Sequence, residues 1–209
     1  MKAKFAFLIL LLSSNFIFSQ ETNDKEVLTA TPTEETENGK IENSVYTCYR
    51  FDWKIKIPMN YVITDVKKVE ELQKKGLPGG IIAKPTSPHL IGFEVDKRNT
   101  FTAAFESLAG SQITSLEEHK NFIIKLMNDT YSNIETLKFD LTSADMKIGK
   151  YDFYKVQTRL YDPKTGELLL TQDLYNSFIN NNLFSVNINF NNPNIGRLLT
   201  DNFISSLSN

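Results

Sequence analysis

Two histidines, one cysteine and scattered carboxylates are the whole stock of the usual metal-ligating side chains in this chain of 209 residues. One cysteine cannot close a disulfide within the chain. Two His and one Cys also fall short of the usual nitrogen- and sulfur-rich zinc sites. Cys48 has no local base beside it and reads as a half-buried thiol at the mouth of a strand. His119 stands between Leu116 and Ile123 on the apolar stripe of a helical pattern, where a packed imidazole outweighs a ligand or a base. His89 closes the segment 76–89, which contains Gly76, Pro78, Gly79, Gly80, Pro85 and Pro88. Those residues fix a shape without making a strand or helix. The segment can therefore hold Lys84 and His89 at a surface as a binding loop, and a plain connector is the competing reading. Glu94 and Asp96 share one strand face, and a metal shared with His89 is the weakest of the options. Glu70-Glu71 and Glu117-Glu118 are adjacent on helices, so each pair points apart into solvent. No Walker loop, Gly-x-Gly-x-x-Gly or Gly-x-Ser-x-Gly pattern occurs. The expectation is no catalytic, cofactor-binding or metal-binding residue and no cofactor.

The elements that would position these residues follow from the apolar period. Tyr49, Phe51, Trp53, Ile55 and Ile57 alternate with polar residues up to Pro58, predicting a strand with Trp53 on its buried face. Val66, Val69 and Leu72 predict a helix over 65–75, stopped by Gly76. Two runs, 91–95 and 101–105, alternate about Lys97-Arg98-Asn99 and predict a hairpin. Ser115 with Glu118 forms a capping box, and Leu116, His119, Ile123, Leu126, Met127 and Tyr131 mark the inner face of the helix it starts. Strand-like runs follow at 137–141, 154–160, 168–179 and 184–190. The chain closes in a helix with Asn192 as N-cap, Pro193 at its first position and Ile195, Leu198, Leu199, Phe203 and Leu207 inward. Hairpin-length connections make the sheet mainly antiparallel. The expected fold class is α+β, a mainly antiparallel sheet layered with three helices in an α/β/α sandwich.

The ends of the chain read as address and tether. Lys2 and Lys4 precede the apolar run 5–12, and a polar break leads to Ser19-Gln20, the pattern of a secretory signal peptide over 1–20 cleaved near Gln20. The run is too short and interrupted for a transmembrane helix, so no membrane span is expected after cleavage. No cysteine stands at that junction to take a lipid. Residues 21–43 carry seven acids, two lysines and no aromatic residue, and are expected to be an acidic disordered leader. The folded domain is then 44–209, which holds every Tyr and the single Trp. A formal net charge of −2 argues against nucleic acid as a partner. Eight asparagines crowd the last third, at 180–182, 187, 189, 191, 192 and 194. They offer amides to a carbohydrate, and compositional bias explains them equally well.

The strand Tyr49-Arg50-Phe51-Asp52-Trp53 running into Pro58, the helix at Ser115, the meander around Lys150-Tyr151-Asp152-Phe153-Tyr154 and the closing helix ending at Leu207 together resemble the PsbP-like (Mog/PsbP-like) family over 46–207. The resemblance implies accessory or binding proteins rather than enzymes, and no family binding residue has a match here. The resulting expectation is an exported, non-enzymatic binding or accessory protein of a bacterial cell envelope, periplasmic or secreted, whose partner is an envelope protein or a small ligand. The alternative is a carrier of a small lipid or sugar, or a hydrolase, working in a cleft near 76–89. A carrier needs an enclosed apolar pocket, and an enzyme needs titratable groups converging in one.

Overall fold

The computed structural model describes residues 33–36, 38–64 and 89–208. Eleven strands and two helices lie within them. Strands β1 (Thr33–Thr36), β2 (Gly39–Glu42), β3 (Val45–Cys48) and β4 (Trp53–Lys56) form a four-stranded antiparallel meander. The larger sheet holds β5 (Val62–Ile63), β6 (His89–Asp96), β7 (Asn99–Ser107), β8 (Lys138–Ile148), β9 (Tyr151–Tyr161), β10 (Leu168–Ile179) and β11 (Asn182–Phe190). Its order is β5-β6-β7-β11-β10-β9-β8, with every neighbour antiparallel. Helices α1 (Leu116–Ser132) and α2 (Pro193–Leu207) lie on opposite faces of it.

Turn chemistry sets the registers. Asn43-Ser44 and Asn180-Asn181 hold positive φ at both positions, the left-handed pair that a two-residue hairpin requires. Asp96 accepts hydrogen bonds from the Arg98 and Asn99 amides across the β6–β7 turn. Gly149, at φ +57° between β8 and β9, sits where a Cβ would lie 2.0 Å from the Leu207 carbonyl oxygen, so the end of α2 can close on that turn. Ser115 caps α1 by accepting from Glu118 N–H, and the Glu118 carboxylate reaches back to the Thr114 N–H rather than that of Ser115. Asn192 caps α2 with Pro193 behind it.

The main core lies between the small sheet, α2 and one face of the large sheet. Trp53 is 1% exposed; it meets Phe184 edge-on at 5.2 Å and donates from Nε1 to Ser206 Oγ at 2.8 Å. Phe51 packs on Phe105 and Phe184, and Phe203 of α2 on Phe153 and Tyr175. A second core joins Ile123, Met127 and Tyr131 of α1 to Tyr154, Val156, Leu160, Leu170 and Leu174 on the opposite face.

The architecture is α+β and mostly antiparallel, as expected, but four details differ. Leu198, expected on the inner face of α2, is exposed. The first expected strand begins late. Tyr49–Asp52 is a turn, with Asp52 at φ +48°; Tyr49 is exposed and Phe51 is tucked inward by the turn rather than by a pleat. The stretch 33–42, placed in the leader by its acids, pairs into β1 and β2; Ile41 on β2 is buried and joins the core. In place of a plain α/β/α sandwich, one layer is shared by α2 and the small sheet. The helix expected over 65–75 lies outside the described residues, as do 1–32.

Candidate functional site

Register decides which side chains meet on the α1 side of the large sheet. Three rows cross it. The first runs Glu94, Thr100, Asn189, Gln172, Thr158 from β6 to β9. The second runs Gly92, Thr102, Asn187, Leu174, Val156, and the third His89, Ala104, Ser185, Asn176, Tyr154. Helix α1 seats on the β9 and β10 ends of these rows. Tyr131 donates to Gln172 Oε1 at 3.2 Å, Met127 lies on Thr158, and His119 bonds Tyr154. Toward β11, β7 and β6 the rows become small and polar.

That half of the face has unspent hydrogen-bonding capacity. Asn176 (1% exposed), Asn187 (3%) and Asn189 (1%) are deeply buried. Ser185 Oγ donates to Asn176 Oδ1 at 2.5 Å, yet Asn176 Nδ2 has no partner. Asn189 Nδ2 donates to Thr100 Oγ1 at 3.2 Å, yet its Oδ1 has none, and neither has Asn187 Oδ1. Both His89 nitrogens are likewise buried and unpartnered. An unsatisfied buried polar atom costs about 1–3 kcal/mol, so four such side chains on one face are a standing cost to the fold. The face presents neutral donors and acceptors, with Glu94 its only charged member among the row residues named.

The residues singled out in the sequence are used differently from one another. His89 is not on a surface loop: it is the first residue of β6, its ring lies against Gly92 and Thr64, and burial pushes it down to about 4. Lys84 lies outside the described residues. His119 is packed as expected; burial lowers it to about 4 and raises Tyr154, so both groups stay neutral, and the phenol oxygen and Nδ1 share a hydrogen bond of 2.7 Å. Asp96 is spent on its turn and is separated from Glu94 by a register shift, so the strand face expected to bring the two carboxylates together is broken. Cys48 is wholly buried against the core, deeper than expected, and out of reach of another chain. No group of three His, Cys, Asp or Glu positioned for a metal occurs among the described residues.

Of the eight C-terminal asparagines, most have structural work. Asn180 and Asn181 make the β10–β11 turn, Asn182 donates to the Asn180 carbonyl, and Asn192 caps α2. Asn191 accepts from Asn99, whose own Oδ1 receives the Asn191 and Asn192 amides. Asn194 is exposed on the first turn of α2, where its N–H donates to Asn192. Asn187 and Asn189 are the buried ones left over, and Asn176 joins them across the sheet. Their alternation with Val186 and Ile188 was visible in the sequence; that their face would be buried was not.

Two other polar groupings are structural. On the opposite face Asp173, 3% exposed, accepts from Gln157 at 2.7 Å and pairs with Lys155 at 2.7 Å. Lys120 binds Asp145 and Glu117, tying α1 to the outer strand β8. An open cleft of about 750 Å3 wraps that outer edge between Ile124, Asn128, Phe139, Leu141, Gln157 and Arg159. Its walls are half polar and it is open to solvent, unlike the enclosed apolar pocket that a lipid carrier needs.

This geometry defines a class first: a PsbP-like α+β fold, two sheets with a helix against each face of the larger. The solution structure of cyanobacterial PsbP (CyanoP) from Synechocystis sp. PCC 6803 is similar to it, with a TM-score of 0.52 and 10% identity over 78% of this chain and 89% of that one. No protein-family model and no curated protein matches the chain. No helix among the described residues is long and apolar enough to cross a membrane.

Proposed function

We propose that the protein is an exported, non-enzymatic binding or accessory protein of the cell envelope. The observation that carries the binding part is the amide face: buried neutral donors and acceptors with open valences serve recognition, because none of them gains or loses a proton near pH 7. Both histidines support the same reading, since each is held neutral by burial and His119 is committed to Tyr154. The likeness to a PsbP-type structure agrees with an accessory role. Export rests on the sequence pattern of residues 1–20, and the segment 76–88 leads straight into His89 at the corner of the amide face.

The test is to replace 77–88 with a short Gly/Ser linker and repeat affinity capture from native envelope material. Loss of a partner while the domain stays folded supports the reading. An unchanged partner set makes the segment a connector only. A turnover abolished by His89→Ala would replace binding with chemistry.

A further inference from the structure

We propose that the free edge of β8 pairs with β8 of a second copy, joining the two large sheets across a twofold axis at Leu141. The inference is independent of the amide face. Strand β8 ends the large sheet, and its outer backbone groups have no partner among the described residues. Its eleven residues pair with β9 in unbroken register, with no bulge and no proline, and most of its side chains are exposed. A long, regular, open edge is a template for another strand unless something blocks it. The remaining edges are short or covered. Strand β5 has two residues, and β1 has four, two of them glutamates. Strand β4 lies against α2, where Asn202 donates to the Lys56 carbonyl.

The open cleft at this edge shows what fits. Phe139, Asp140, Leu141, Thr142 and Ser143 all line it. Consecutive residues of a strand point to opposite faces, so an unbroken run of them lines one space only along the backbone edge. The matching occupant is an extended strand, with Ile124 and Asn128 of α1 on one side of it and Gln157 and Arg159 on the other. Charge and symmetry select a second copy. Lys138, Asp140, Asp145 and Lys147 cancel along the edge, and the whole chain has a formal net charge of only −2, so two copies repel weakly. A twofold that pairs this edge antiparallel with itself keeps both α1 helices on one face, so the axis passes through a residue and not between two. At Leu141 it sets the cleft-lining run of each copy against that of the other. Leu141 then meets Leu141, Phe139 meets Ser143, Asp140 meets the Thr142 hydroxyl and Lys138 meets Ala144. Helix α1 runs antiparallel to β8, from Lys120 on Asp145 to Tyr131 against Phe139, which puts Ile124 between those ends to receive the incoming Phe139 ring. Moving the axis by one residue is worse: at Asp140 aspartate faces aspartate, and at Thr142 Phe139 faces Asp145. The contact is closed, so association stops at the dimer.

The experiment combines sedimentation equilibrium of the natively processed chain with single cysteines placed along β8 under mild oxidation. Cys48 is buried and adds no background crosslink. The expected result is a reversible monomer–dimer equilibrium. Directly opposed Cα atoms of antiparallel strands lie about 4.5–5.5 Å apart, within disulfide reach. Leu141→Cys should therefore crosslink to itself. Asp140→Cys and Thr142→Cys should each fail alone and crosslink when mixed, because each faces the other. Ser143→Lys, at an exposed position, should weaken the dimer by at least about tenfold and leave the urea midpoint of the monomer unchanged. A chain that stays monomeric up to its solubility limit overturns the proposal. So does crosslinking strongest at another β8 position, or a dimer indifferent to Ser143→Lys. A monomer whose β8 amide signals move with an added Val-Thr repeat peptide also overturns it, and gives the edge to a foreign strand instead.

Discussion

Acid should destabilise this protein well above the carboxylate range, and two residues should account for it. His89 and His119 titrate near 4 when folded against 6.5 for a free imidazole, and desolvation is the cause at both. A group whose folded pKa is depressed contributes nothing while both states are neutral. As pH falls below 6.5 the unfolded chain takes up protons that the folded chain refuses, so stability falls from about pH 6.5 down to about 4. The loss on going from pH 7 to pH 5 is about 2 kcal/mol per histidine, or about 4 kcal/mol together, a large share of a typical domain's stability. Glu106 acts with the opposite sign, since burial raises its carboxyl and protonating it favours the folded state. Urea unfolding followed by the fluorescence of the single, buried Trp53 measures this directly at pH 7 and pH 5. His119→Gln and His89→Gln should each remove about half of the pH dependence. A midpoint that stays constant from pH 7 to pH 5, or a dependence that survives both substitutions, would refute the argument that these rings are dry and neutral.

Trp53→Ala should cost roughly 3–5 kcal/mol, and Trp53→Phe about 1 kcal/mol for the lost bond to Ser206, both read from urea midpoints. A loss under about 1 kcal/mol for the Ala variant would mean that this face is not core. Gly149→Ala should cost about 1–3 kcal/mol, because it forces a left-handed φ and drives a methyl into the Leu207 carbonyl; an unchanged midpoint would refute that contact. N-terminal sequencing of native protein should find Gln20 or Glu21 first, and retention of residues 1–20 in a membrane fraction would defeat the export reading.

Much of the fold was legible because local chemistry and tertiary packing agree. Asn192-Pro193, Ser115 with Glu118, and the alternation of Phe184, Val186 and Ile188 each fix an element without help from the rest of the chain. Of the small sheet only β4 was legible, through Trp53 and Ile55. Its strands are four residues long, and only Ile41 marks the inner face of β2, so the acids of 34–42 dominated the pattern. Tyr49–Asp52 misled for the converse reason, since a turn reproduced the alternation of a strand. The amide face was half visible. Asn187 and Asn189 stood out by type, but only the register brings Asn176, Ser185 and His89 beside them, and those pairings span as many as 89 residues of chain. His89 was placed at a surface by its proline-rich neighbours, whereas strand pairing with Ala104 draws it in.

The claim that this fold works by recognition at the amide face is tested most directly by affinity capture from native envelope material with the full chain and the Asn187→Leu, Asn189→Leu variant side by side. The account predicts that the wild-type chain retains a component of that material, and that the variant, folded and at least as stable, does not. Equal recovery of the same component by both chains would contradict it.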